Sequence, residues 1–461
     1  MTTEVAESGS ATIADQPSTG IASIPPELLA IIFEMTLSDD SKRPRHKLPF
    51  EVILSHVSSH WRTVAITTPV LWTTIAIYSS RSDCAANYFQ RSGSQLLLDI
   101  RIDIYNADRH SGKYWWLRGD GLVKSVVKTL LPHIHRARSL LVLCCFETTI
   151  LALLSRFNNS VAPHLQRLRL NIGHPTSSLF SIRPQAFSTK SLPQLTFLET
   201  DVHSCIPLTL KNLTTLHLHM LTPLSYSSYQ SFAAMLTAPS SLRNLCIQGS
   251  LDVTNSLLSG NEPGLSFNHL KALRLSDGEG LFAATLLLAI SAPNLESLWL
   301  GSSYKKYGRF FNAPSMVAQR VKFPVLKYLT MSFYDFPYCL EFSTVFPNIT
   351  HLYLPCANYY RDHTLFETVL TSHWRHLDTF ATASLRQSQM PIIHSALSKI
   401  LPLRRNAGYP IRQILLDDDL RMLFRKNFHD VLPNVKIDKL SLETYQEPWW
   451  VMSHERHIDH P

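Results

Sequence analysis

Residues 270–275 read LKALRL and residues 295–300 read LESLWL, two copies of one Leu-x-x-Leu-x-Leu pattern. The same spacing recurs as LQRLRL from Leu165, LTFLET from Leu195, LTTLHL from Leu213, LRNLCI from Leu242, LKYLTM from Leu326 and ITHLYL from Ile349. These eight anchors lie 18 to 31 residues apart, and weaker members follow as LDTFAT from Leu377, IRQILL from Ile411 and IDKLSL from Ile437, with ARSLLV from Ala137 as a candidate first copy. Several copies are preceded by proline, as in APHL, LPQL, APNL, FPVL and FPNI. Proline cannot donate to a sheet ladder, so it is read as marking the start of each strand. Within a strand the period of two turns the leucines inward and sends the residues between and after them to the opposite face.

Between the candidate strands lie helix-like pieces, among them YQSFAAML, LFAATLLLAI, LFETVLTS and IIHSALSKIL. One strand, one turn and one helix per unit, at spacings in or just beyond roughly 20–29 residues, is the pattern of a leucine-rich-repeat solenoid, in which each unit buries its leucines against the next. The expected fold class is therefore an α/β solenoid, a curved leucine-rich array over about 131–443, preceded by a small helical part. The closing EPWWVM segment, within 444–461, is read as a cap on the last repeat or as a tail folded back onto the concave face.

Composition narrows the function classes. At 461 residues and 45% hydrophobic, the chain has ample material for a continuous core. Seven scattered cysteines do not form the even, spaced framework of a small secreted domain. Residues 1–20 lack a basic start and an apolar core, so they read as a disordered tail and not as a signal peptide. These features predict an intracellular protein, cytoplasmic or nuclear. The longest apolar run, LFAATLLLAISAP at 281–293, is too short for a bilayer and reads as a buried helix. The net charge of +8 is dispersed, and no zinc-finger, RNP-like or continuous basic-helix pattern accompanies it. Neither membrane nor nucleic acid is an expected partner.

The N-terminal part reads differently from the repeats. IPPELLAIIF at 24–33 has prolines and a glutamate suited to a first helical turn, with Leu28, Leu29, Ile32 and Phe33 expected on one face. After a polar loop, Phe50, Ile53, Leu54, Val57 and Trp61 recur at helical spacing, Pro69 stops the pattern, and VLWTTIAI reads as a strand or an extended segment. Some fifty residues cannot hide two wide apolar stripes from water, so part of this surface is expected to meet a partner.

IPPELLAIIF followed by VSSHWRTVAITTPVLW resembles the F-box, over about Ile21 to Ile77, and its combination with leucine-rich repeats is similar to the large fungal family of F-box proteins. Ser58 stands where that motif usually has cysteine, and the loop from Ser38 to Lys47 is long for it. The resemblance implies a division into an F-box at 21–78, a connecting region at 79–130 and the repeat array. It also implies a Skp-type adaptor as partner, joining the chain to a cullin-RING (SCF-type) ubiquitin ligase, with Ile24, Pro25, Leu28, Leu29, Val57, Trp61 and Leu71 forming or supporting the adaptor surface. Trp72 and Phe33 are read as internal packing, Trp72 as the plug between the F-box and the connecting region. The chain would then be a non-catalytic substrate receptor whose array holds an unidentified target protein. An F-box scaffold acting without ubiquitin transfer is the alternative.

The outward strand positions give the expected target-binding concave face: Arg169, Glu199, His217, His219, Gln248, Arg274, Trp299 and Tyr353. Large aromatics on a solvated strand suit recognition. His217 and His219 share a strand face and could ligate a metal, but no third ligand is identifiable, so they are read as exposed strand histidines and no metal is expected. His454, His457 and His460 are treated alike. No cofactor is expected, because GxxxxGK[ST], GxGxxG and GxSxG are all missing, and the Asp417–Asp419 run suits a helix N-terminus.

Overall fold

The computed structural model describes residues 24–37, 48–78, 82–104, 119–144, 147–157, 160–172, 192–201, 210–221, 229–249, 264–277, 281–302, 323–332, 342–355, 370–371, 373–383, 390–416, 418, 421–422 and 435–440. The tail at 1–20, the EPWWVM segment, the 454–460 histidines and nearly all of LFETVLTS and of the segment after Asp419 lie outside them.

Sixteen strands follow one another along the described chain: β1 Thr74–Tyr78, β2 Leu98–Asp103, β3 Ala137–Cys144, β4 Arg167–Ile172, β5 Phe197–Thr200, β6 Thr215–Leu221, β7 Asn244–Gly249, β8 Leu265–Ser266, β9 Ala272–Asp277, β10 Ile290–Ser291, β11 Ser297–Ser302, β12 Tyr328–Ser332, β13 His351–Pro355, β14 Thr379–Ala383, β15 Gln413–Leu416 and β16 Lys436–Lys439. Fourteen of them form one open, wholly parallel sheet in chain order, while β8 and β10 make a separate parallel pair. Helices Ser82–Arg91, Gly119–Leu130, Glu147–Phe157, Tyr229–Thr237, Leu281–Ala289 and Met390–Asn406 lie in the connections. Parallel neighbours cannot be joined by a hairpin, so each strand must be followed by a crossover. Among the described residues, no helix is long and apolar enough to cross a membrane.

The inward leucines behave as their period requires. Leu165, Leu168 and Leu170, Leu270, Leu273 and Leu275, and Leu295, Leu298 and Leu300 are all buried, in one continuous cluster with Phe232, Phe282, Leu286 and Leu397 from the helices. The prolines do precede their strands, and they do so inside a turn. In APHL, LPQL, APNL and FPVL the anchor N–H donates to the carbonyl three residues earlier, from Leu165 to Ala162, Leu195 to Leu192, Leu295 to Ala292 and Leu326 to Phe323. Proline is thus the second residue of a β-turn, where its fixed φ is preorganised, and the strand begins two residues beyond the anchor. The residue after each anchor continues the ladder, for example Gln166 N–H to Arg138, Thr196 to Gln166 and Thr214 to Thr196.

The sheet begins and ends elsewhere than the leucine pattern places it. Trp72, Ile75 and Ile77, and again Leu97, Ile100 and Ile102, keep the anchor spacing with tryptophan and isoleucine in place of leucine. The sheet therefore starts at β1, and β2 belongs to it although 79–130 reads only as a connection in the sequence. At the other end Gln413 pairs with Lys436, so Ile437 fills the fourth position of its unit and not the anchor position.

Ahead of the sheet, Pro26–Leu37 (α1), Phe50–Ser55 (α2) and Ser59–Thr67 (α3) pack around Leu29, Phe33, Leu54, Val64, Ala65, Leu71 and Trp72. The stripe of apolar residues from Phe50 to Trp61, which keeps one helical spacing in the sequence, is carried by two successive helices. Ser58 separates them by accepting the Trp61 N–H at 3.1 Å on its hydroxyl, an N-cap that starts a new helix.

Candidate functional site

Two surfaces carry the residues that the sequence singles out. The first is the outer side of α1–α3. Leu29 and Phe33 of α1 turn inward and are buried, whereas Leu28, Ile31, Ile32 and Met35 are 44–73% exposed. Leu28 and Ile32 therefore do not share the face of Leu29 and Phe33. Val57 at the α2–α3 turn is 54% exposed, and Pro25 is exposed beside Ile24, whose carbonyl meets His60 Nε2 at 3.2 Å. Trp61 is half-buried, its ring 5.1 Å from that of Phe33. Leu71 is buried with Leu29, so both can support such a surface but cannot touch what lies on it. Of the fourteen exposed large apolar side chains among the described residues, nine lie between Leu28 and Val70. An excess of this kind in one part of the fold marks an interaction surface more than residues scattered evenly over the chain would.

The second is the polar face of the sheet. Strand pairing sets Arg169, Glu199, His217, Cys246, Arg274, Trp299, Thr330 and Tyr353 in one row, each opposite the next. His219 and Gln248 belong to the next row outward on β6 and β7, and Nδ1 of His219 lies 2.9 Å from Oε1 of Gln248.

Most of this row is not the open surface expected of it. Glu199, His217 and His219 are 1–2% exposed and Trp299 is 9% exposed. Strands lie only about 4.8 Å apart, so wide side chains on successive strands cover one another. The Arg274 guanidinium lies 4.1 Å from the Trp299 ring centre, and Phe197 meets the His217 ring edge-on at 5.2 Å. Tyr353, half-buried, packs on Ala381, Leu415 and Leu440. Of the expected residues, Arg169, Gln248, Arg274 and Tyr353 remain partly accessible.

What the sequence does not reveal is that Glu199 meets both histidines. Its Oε2 pairs with Arg169 Nε at 3.1 Å and lies 4.0 Å from His217 Nδ1, and its Oε1 lies 3.6 Å from His219 Nε2. The signal is present in the spacing, because Glu199 and His217 each stand four residues beyond their anchors, Leu195 and Leu213, and so share a register position. Burial pushes the His217 imidazole down to about 3, against a smaller upward pull from Glu199, with His219, Arg274 and Arg169 adding to the fall. The folded chain thus holds His217 neutral at a pH where an unfolded histidine is protonated. Stability from this group is complete above about pH 6.5 and falls as the pH drops toward 3. Urea midpoints measured with chelator present are expected to decline through that window, and less steeply in His217→Gln.

No protein-family model matches the sequence, and no curated protein does.

Proposed function

We propose that the chain is the substrate-recognition subunit of a cullin-RING ubiquitin ligase, in which α1–α3 act as an F-box that docks a Skp-type adaptor and the strand array holds a target protein. The observation that carries this reading is the concentration of exposed apolar residues on α1–α3, over a buried core of their own. Leu28 and Val57, which the F-box resemblance assigns to the adaptor, are both on that exposed side. An interface of this kind has an apolar centre and a polar rim, with a few anchors dominating the affinity. The sheet in simple chain order supports a repeat array with a long recognition face, on which Arg169, Gln248, Arg274 and Tyr353 are the accessible contacts.

In this reading the chain makes and breaks no bond. It raises the local concentration of ubiquitin-charged enzyme near a lysine of the bound target. Direct binding of the full chain to a purified Skp-type adaptor is the test. Leu28→Ala combined with Val57→Ala is expected to weaken binding roughly 100-fold while leaving the melting temperature unchanged, because neither side chain contributes to the core. An adaptor that fails to bind the unaltered chain would sink the proposal. If the adaptor binds but no co-purifying target lives longer when the chain is deleted, the chain is a scaffold without ubiquitin transfer.

A further inference from the structure

We propose that Glu199, His217 and His219 form a binding site for a divalent transition-metal ion, with zinc the expected occupant. Each offers one donor atom, and the three donor atoms lie within 4.8 Å of one another in a buried setting. Around a tetrahedral zinc with bonds of about 2.0–2.1 Å, donors stand roughly 3.3 Å apart. His219 Nε2 lies 3.6 Å from Glu199 Oε1, close to that spacing, while His217 Nδ1 lies 4.0 Å from the other carboxylate oxygen, Oε2, so His217 must turn toward Oε1 to complete the set.

Two strands build the set. His217 and His219 lie two residues apart on β6 and share a face, while Glu199 pairs with His217 from β5. Gln248 Oε1 on β7 lies 2.9 Å from His219 Nδ1, and in the neutral tautomer that donates there Nε2 presents its lone pair toward Glu199 Oε1. A histidine ligand usually donates its other ring N–H to an oxygen acceptor, and Gln248 Oε1 stands in that place for His219. Arg169 opposes a cation here, yet its Nε engages Oε2 and leaves Oε1 to the His219 side.

Two histidines and one glutamate make a recognised zinc set with a fourth position left for water or an incoming donor. The same set can hold Fe²⁺. Zinc stands above iron in the usual order of affinity, and the two are separated by experiment. The inference does not depend on the receptor reading.

The test is direct titration of the full chain, stripped with chelator, with Zn²⁺ in competition with a chromophoric chelator. Parallel arms use Co²⁺, whose visible spectrum reports coordination, and Fe²⁺ without oxygen. His454, His457 and His460 are changed together to alanine so that the histidine-rich C-terminal segment cannot supply the signal. One equivalent of Zn²⁺ is expected, with a four-coordinate Co²⁺ spectrum. Glu199→Gln and His219→Ala are each expected to abolish stoichiometric binding, and Gln248→Leu to weaken it roughly 10–100-fold. Circular dichroism of each metal-free variant checks that the fold persists. Stoichiometric Zn²⁺ that survives Glu199→Gln, or no stoichiometric metal in the unaltered chain, would overturn the site and leave the cluster a proton-mediated ion-pair network. Preference for Fe²⁺ over Zn²⁺ would overturn the choice of ion.

Discussion

Trp72→Ala is expected to cost about 3–5 kcal/mol, the usual range for deleting a fully buried aromatic side chain. Trp72 is 1% exposed, and its indole N–H donates to the Ala65 carbonyl at 2.8 Å. The ring meets Tyr88 edge-on at 5.0 Å, and the Arg91 guanidinium lies 4.3 Å from its centre. Tyr88 in turn donates its hydroxyl to Glu51 Oε1 at 2.5 Å, and burial together with the Glu51 charge pushes its phenol well above the ordinary range. One side chain thus holds together α2, α3 and the first helix after β1. The alanine variant should lose the α1–α3 packing at lower urea and lose adaptor binding with it, unlike the Leu28→Ala and Val57→Ala pair. Trp72→Phe keeps most of the ring contacts but forfeits the hydrogen bond, so a loss of about 1 kcal/mol is expected. Equal midpoints for Trp72→Ala and the unaltered chain would contradict the assignment of Trp72 as the connecting plug.

The second large effect is expected at Arg404, which is fully buried in helix Met390–Asn406. Its guanidinium donates to four carbonyls: Nη1 to Leu370 at 2.5 Å and His373 at 3.1 Å, Nη2 to Trp374 at 2.9 Å, and Nε to Tyr409 at 3.2 Å. Burial brings its pKa down to about 10, so the group remains charged at neutral pH. Among these partners, Trp374 holds a φ of 46° and is 2% exposed. A left-handed backbone is unfavourable for a bulky residue and persists only when its surroundings over-determine it. Arg404 on its carbonyl and the Phe346 carbonyl on its indole N–H at 2.9 Å supply that constraint. Arg404→Leu leaves several buried acceptors without their donor, and about 3–5 kcal/mol of destabilisation is expected from denaturant titration. Arg404→Lys should recover only part, since a single ammonium cannot span the four carbonyls in one plane.

The strand order and the polar row are legible in the sequence because the anchors set register. Four residues on from each anchor stand Arg169, Glu199, His217, Arg274, Trp299 and Tyr353, and the strands align them as counted. Exposure is not legible, since it depends on the width of the neighbouring side chains. The period that turns Trp299 away from the leucines says nothing of Arg274 lying over it. For the same reason the sequence offers Glu199 and the two histidines as separate surface residues. VLWTTIAI reads as a strand and β1 is one, but its membership of the array, like that of β2, is hidden because Ile75 and Ile77, and Ile100 and Ile102, occupy positions where the leucine pattern looks for leucine. Arg404 is hidden because nothing in a helical sequence distinguishes an arginine facing backbone carbonyls from one facing water.

In the large sheet each strand is bonded only to its immediate predecessor and successor in that sheet. Pulled by its two ends, such a chain can shed an outermost strand by breaking one ladder while every inner ladder stays whole. Under an optical trap it should therefore lengthen in a succession of small steps and not in a single rupture. At the C-terminal edge the ladders flanking β15 hold only four residue pairs each, so this edge should give way before the other, where β1–β2 has five and β2–β3 six.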